Sequence, residues 1–185
     1  MTTTEVSWQK QALIAKLAMD LESTSRQFGK VALQKMMFLL QELFAVPVGY
    51  DFELYHVGPF SRDLQADLDY AHFLQAVSIV ETPPYGFRIL PGAQSETIAS
   101  RGHAFLARHT RSIEGAEQEF GSMSARELEL RATLVYVAKW HQKRAEAPKR
   151  DQVVEEVAAL KSKYARQEIE EALDELRRAQ HIEVT

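Results

Sequence analysis

Cysteine is absent from the 185-residue chain, which excludes a disulfide framework and every thiolate-held metal site. Apolar runs never reach the ~20 residues needed to cross a bilayer, so no membrane partner is expected. Residues 1–5 carry no basic stretch leading into an apolar core, and the expected location is cytoplasmic. Glycine (eight) and proline (six) are scattered, with no glycine-rich loop to cradle a phosphate and no Gly-x-Ser-x-Gly elbow around any serine. No cofactor is expected. Positive charge is not in excess either: a net charge of −4 and an isoelectric point near 5.9 argue against a chain built wholly around phosphate neutralisation.

What is there, 45% hydrophobic and 26% charged, suffices for a sizeable core in one domain or two small ones. Trp8, Ala12, Ile14, Ala15, Ala18 and Leu21 recur at three- and four-residue spacing and predict an amphipathic helix over about 5–22. Residues 28–44 are apolar almost all round, as in a central helix touched from several sides. Within it Met36, Met37, Leu40, Leu43 and Phe44 read as packing rather than as an adaptable binding surface. Pro47 and Gly49 end that helix. From 50 to 56, Tyr50, Phe52 and Leu54 alternate with Asp51, Glu53 and Tyr55, predicting a half-buried strand. Gly58-Pro59 predicts a turn, Ser61 an N-cap, and Leu64, Leu68, Ala71 and Leu74 the buried stripe of the next helix. Runs 77–80 and 87–90 flank Thr82-Pro83-Pro84-Tyr85-Gly86 as a β-hairpin. Helices followed by a strand pair make the winged-helix pattern, a variant of helix-turn-helix logic in which the later helix faces outward.

Beyond a polar turn at 92–96, Ile98, Phe105, Leu106, Ile113 and Phe120 predict one helix over 97–120. Ser124-Ala125-Arg126-Glu127 is a capping-box signature that opens another, through Leu128, Leu130, Leu134, Val135, Val137 and Trp140. Val153, Val154, Val157 and Leu160 follow, then Ile169, Ala172, Leu173 and Leu176, and residues 182–184 as a short strand. A shift of 105 residues superimposes Leu64 on Ile169, Leu68 on Leu173, Ala71 on Leu176, Val77 on Ile182 and Ile79 on Val184. An internal repeat is one explanation; the shared periodicity of any helix running into a strand is the other. The chain is thus expected to be mainly α with a small β hairpin, an α+β fold. Residues 1–95 would form a winged-helix-like domain and 96–185 a helical region, either a second, degenerate winged helix or a dimerisation arm.

Leu33-Gln34-Lys35 leading into residues 36–40, then Tyr55 with Gly58-Pro59-Phe60-Ser61, then Leu64 and Leu68, resemble the YwgA-like winged-helix proteins. More distantly they resemble the Panacea domain of antitoxins and proteolytic adaptors. The resemblance spans roughly residues 26–90, with a further likeness between 128 and 182. Members often carry a glycine ahead of the first wing strand, where this chain has Gln75-Ala76-Val77. The resemblance implies a winged-helix fold and a regulatory or interaction role, and brings no catalytic residues with it.

Charge divides the candidate sites. The outward helix from 59 to 75 sets Arg62 against Asp63, Asp67 and Asp69, a net −2, the wrong sign for a phosphate-lined groove. Those four residues are expected to contact a protein partner, with a solvated face as the plainer reading. The helix from 164 to 178 also sums to −2. Basic character lies instead in Lys139, Lys143, Arg144, Lys149 and Arg150 against Glu146, net +4, around Trp140 and His141. Further basic stretches are Arg101, Arg108 and Arg111, and Arg26, Lys30 and Lys35. If these converge they could hold a nucleic-acid backbone, with Arg88 on the wing; scattered, they complement helix ends and solubilise the surface.

For chemistry there is little. His103 and His109 stand about 240° apart on a helix, so they do not share a metal from one face; His56, His72, His141 and His181 are isolated. Asp63 and Asp67 share a face without a third ligand, and neither metal ligands nor catalytic residues are assigned. Two functions remain: an antitoxin-like or adaptor-like, non-enzymatic module that binds a protein, or a DNA-binding regulator that uses the wing and the segment 139–150 for backbone contacts. A homodimer, paired through a surface-lying first helix bearing Trp8, fits either.

Overall fold

The computed structural model describes residues 7–25, 27–84, 86–144 and 148–185. Among them eight helices and two antiparallel hairpins follow in the order α1 (Trp8–Leu21), α2 (Lys30–Leu43), β1 (Glu53–Tyr55), β2 (Gly58–Phe60), α3 (Arg62–Phe73), β3 (Val77–Glu81), β4 (Phe87–Pro91), α4 (Ser95–Arg101), α5 (His103–Phe120), α6 (Ala125–Lys143), α7 (Arg150–Leu160) and α8 (Arg166–Arg178). The fold is mainly α with small antiparallel strands, as the residue pattern predicts.

The all-round apolar helix is α2, buried without interruption from Ala32 to Leu40. It packs on α6, α5, β2 and β4, and one cluster of buried side chains runs from α1 through α8 to Val184. The helix α1 is a core element as well, pressed against α4, α3, α5 and β4. Eight of its residues are buried, and half-buried Trp8 lies beneath the Arg101 guanidinium, 4.2 Å from its ring centre. That removes the surface-lying first helix on which pairing into a homodimer was to rest.

Gly58-Pro59 is not the turn. Both residues belong to β2, opposite Tyr55 and Leu54, and the chain reverses at His56-Val57. Proline is tolerated because β2 is one strand of a two-stranded ribbon and needs no second ladder. The strand is also shorter than its alternation suggests, since only 53–55 pair. Flanking backbone is held instead by two side chains of α2. Gln41 accepts from the Tyr50 N–H at 2.9 Å and donates to the Tyr50 carbonyl at 3.1 Å. Gln34 does the same for Ser61, 2.9 Å each way. Seven residues apart, these glutamines share one helix face.

Ser61 caps α3 by accepting from the Leu64 N–H at 3.4 Å, and the Ser124–Glu127 capping box of α6 is complete. Leu64, Leu68 and Ala71 are buried at 1% exposure or less, the two leucines contributing roughly 1.5–3 kcal/mol each by burial. At the end of α3, Gln75 takes φ +58, a left-handed conformation that favours glycine. Ala76 N–H returns to Ala71 O at 2.9 Å and Gln75 N–H to His72 O at 3.0 Å, a Schellman-type stop. The same device ends α8, 105 residues on: Gln180 has φ +59, His181 N–H bonds Leu176 O and Gln180 N–H bonds Arg177 O.

The β3–β4 hairpin pairs Val77 with Pro91 through Glu81 with Phe87. Ile89 N–H also donates to Phe28 O at 2.7 Å, which ties the hairpin to the link between α1 and α2. Two further expectations change. The helix over 97–120 is two helices divided at Gly102, where α1 passes so close that a Cβ would lie 2.4 Å from the Ala12 methyl. Residues 182–184 form no strand; the segment has no regular secondary structure, with Ile182 and Val184 buried and Glu183 exposed. Its continuation Thr185 exchanges backbone bonds with Pro148 and Arg150, at 3.0 and 2.7 Å.

Candidate functional site

On α3 the buried stripe of Leu64, Leu68 and Ala71 leaves an opposite arc of about 120°, at 100° per residue, that carries Arg62, Asp63, Ala66, Asp69, Tyr70 and Phe73. All six are exposed. Phe73 is 78% exposed and stacks on Tyr70, with ring centres 6.2 Å apart and planes at 19°. Small Ala66 leaves a step between this pair and the charged end. The aromatic pair is what reasoning from sequence missed, although Phe73 falls half a turn away from the leucine stripe and could have been placed outward from that alone.

Of the four residues expected to meet a partner, three share this arc. Asp63 and Asp69 face solvent, Asp69 accepting from Gln65 at 3.0 Å. Arg62 donates to the Tyr55 hydroxyl at 3.0 Å, and that hydroxyl donates to Glu53 at 3.3 Å. The hydrogen bond to Tyr55 raises the guanidinium pKa above its ordinary value. A recess of about 250 Å³ at this end is lined by Asp51, Glu53, Phe60, Ser61, Arg62 and Asp63, so carboxylates outnumber the one cation there. Asp67 turns the other way. It accepts from the Tyr50 hydroxyl at 2.8 Å and from Gln11 at 3.2 Å, with Lys10 at 3.9 Å. It therefore joins α3 to α1 and to the segment before β1. Burial, and then the Asp67 charge, push the Tyr50 phenol far above its ordinary value, so it stays a donor. Tyr50→Phe should lower the unfolding free energy by roughly 1.5–3 kcal/mol, the range for a hydrogen bond to a charged group, read from urea denaturation.

The basic residues do not form one surface. Lys35 is fully buried, Lys30 sits 4.5 Å from the Phe87 ring centre, and Arg26 lies outside the described residues. Arg88 donates to the Glu22 carbonyl at 2.9 Å. Arg150 forks onto Asp174 at 3.1 and 2.9 Å, an arrangement that holds the carboxyl below its usual range. Lys149 is exposed. Among the described residues Lys139, Trp140 and Lys143 meet along a groove shared with Phe38, Gln41, Glu42, Tyr50, Asp51, Phe52 and Tyr136. Arg144 lies over Trp140, 3.7 Å from its ring centre.

Beneath the β1–β2 hairpin lies a buried ion network that no local pattern announces. Lys35 Nζ donates to Pro59 O at 2.7 Å. Lys161 donates to Tyr55 O at 3.2 Å and to His56 O, and stands 3.1 Å from Glu129 Oε1. Lys163 reaches the other oxygen of Glu129 at 2.7 Å from a half-exposed position. Burial drives Lys35 down to about 7, while Glu129 pulls it up and Lys161 and Lys163 push it further down. Away from this network, Glu117 is pushed up to about 8, first by burial and then by the neighbouring Asp20 carboxylate. His141 and His181 meet Glu156 and Glu119 at 2.8 and 2.7 Å. Among the described residues no group of three or more His, Asp or Glu is placed to hold a metal ion. None of their helices is long and apolar enough to cross a membrane.

No protein-family model matches the chain, and no curated protein matches it.

Proposed function

We propose that the chain is a non-enzymatic regulatory module of winged-helix type that binds a protein partner through the outward face of α3, as the antitoxin- and adaptor-like groups it resembles would suggest. The observation that carries this reading is the Tyr70–Phe73 stack, an aromatic pair displayed on the helix that a winged helix presents. Its setting supports the reading: α1, α2 and α3 precede the β3–β4 wing, and Ile89 links that wing back to Phe28. Exposed tyrosine and phenylalanine among carboxylates suit a protein interface and oppose a phosphate backbone.

A DNA-binding regulator is the second reading, favoured by Lys139, Trp140, Lys143 and Arg144 gathering at one groove. The two separate cleanly. Affinity capture from the native host should recover a stoichiometric protein partner that is lost on Phe73→Ala, while duplex DNA is not shifted at physiological salt. A DNA shift that weakens on charge reversal at Lys143 and Arg144, with no protein recovered, would overturn the first reading.

A further inference from the structure

Resting on that reading, the α3 face also specifies the chemistry of its partner: we infer that it docks a cationic segment of another protein, one bearing an apolar side chain between lysines or arginines. The apolar side chain would cover the Tyr70–Phe73 stack, and the cations would reach Asp69 on one side and the Asp51, Glu53 and Asp63 recess on the other. Phe73 lies ten residues beyond Asp63, about 15 Å at 1.5 Å per residue, which is a span of three turns of a helix or of four to five residues of extended chain. Charge selects the partner. Arg62, hydrogen-bonded to Tyr55, whose hydroxyl is bonded in turn to Glu53, stands on this face against Asp51, Glu53, Asp63 and Asp69, so the face is acidic in sum. A second copy of this chain fits poorly, because a two-fold contact sets the same patch against itself and would face one acidic surface with another. A duplex fits poorly for the same sign of charge.

The test pans a display library of random 16-residue peptides against the full chain, then measures the affinity of the enriched peptides by titration. The expected result is enrichment of lysine- and arginine-bearing peptides with at least one large apolar residue. Their affinity should fall about 30-fold or more on Phe73→Ala, the loss typical of a buried aromatic anchor, and about tenfold on Asp69→Lys, with Lys143→Glu leaving it unchanged. Both α3 positions are exposed, so the variants should keep the thermal transition of the parent, which is checked in the same samples. Enriched peptides that are acidic or neutral yet still depend on Phe73 would overturn the inference while leaving α3 as a protein-binding face. Binding insensitive to Phe73→Ala overturns both. A dimer in sedimentation that Phe73→Ala dissolves would assign the face to a second copy and overturn the inference.

Discussion

Glu129→Ala should lower the unfolding free energy by about 3–5 kcal/mol, the loss expected when one partner of a buried ion pair is removed and the other stays. Glu129 is 4% exposed and Lys161 is 4% exposed, so neither charge has recourse to water without opening the seam between α6, the residues after α7 and the β1–β2 hairpin. Without the carboxylate, Lys161 keeps only the carbonyls of Tyr55 and His56. Urea denaturation is the measurement. Glu155→Ala supplies the contrast, since its pairing with Arg166 at 2.5 Å is exposed on both sides and should contribute no more than about 1 kcal/mol. Equal losses from the two variants would mean that water already reaches Glu129. Lys35 adds a pH signature. Its ammonium ordinarily titrates at 10.5 and in the folded chain at about 7, so between those values the unfolded chain binds the extra proton. Stability should therefore rise from pH 7 toward 10.5, and Lys35→Met should flatten that rise. Glu117, pushed up to about 8 from 4.5, acts in the opposite sense over 4.5–8, so the comparison of variant with parent belongs above pH 8.

Gly58→Ala should cost about 2–5 kcal/mol, the sum of a left-handed conformation forced on alanine, ~1–2 kcal/mol, and overpacking, ~1–3 kcal/mol. The residue has φ +86, and a Cβ there would meet Lys35 Cε and Thr133 Oγ1 at 3.2 Å and Glu129 Cγ at 3.3 Å. Gly49→Ala isolates the first contribution, because Gly49 also has a positive φ, +68, but has open space where the methyl would go. If the two variants melt together, the ion network yields to a methyl group and the hairpin is less tightly seated than its distances imply. If Gly58→Ala is clearly the worse, the difference measures how closely β2 rests on α6.

Periodicity made most of the helices legible, because an amphipathic stripe is written in consecutive residues: Leu64, Leu68 and Ala71 are buried as their spacing requires. Turn chemistry was less reliable. Gly58-Pro59 reads as a turn in isolation, yet both residues are paired in β2, where the glycine allows close approach to α6 and the backbone carbonyl at 59 accepts from Lys35. Gly102 weakens the helical pattern locally, but the contact with Ala12 that leaves no room for a side chain there comes from ninety residues away. Charge was least legible of all. A lysine in an apolar helix reads as surface until its partners are known, and those of Lys35 are the Pro59 carbonyl and the Glu129 carboxylate. The same holds at the candidate face: counting charges along α3 could not separate Asp67, held by Tyr50, from Asp63 and Asp69, which are exposed. The 105-residue correspondence is mixed: α3 and α8 both end on a glutamine with positive φ and the same two backbone bonds, yet residues 182–184 form no strand where 77–81 do.

Gln34 and Gln41 act together as a ruler. Each grips backbone as a neighbouring strand would, one at Ser61 and one at Tyr50, and their spacing of seven residues fixes an end-to-end distance of about 10.5 Å along α2. The twelve residues from 50 to 61 must leave one grip, make the hairpin and return to the other. Residues could be exchanged within that loop far more readily than added or removed, because a change in length would release a glutamine and shift the start of α3. The position of the aromatic pair on the protein's outer face is thus measured out from the interior of α2.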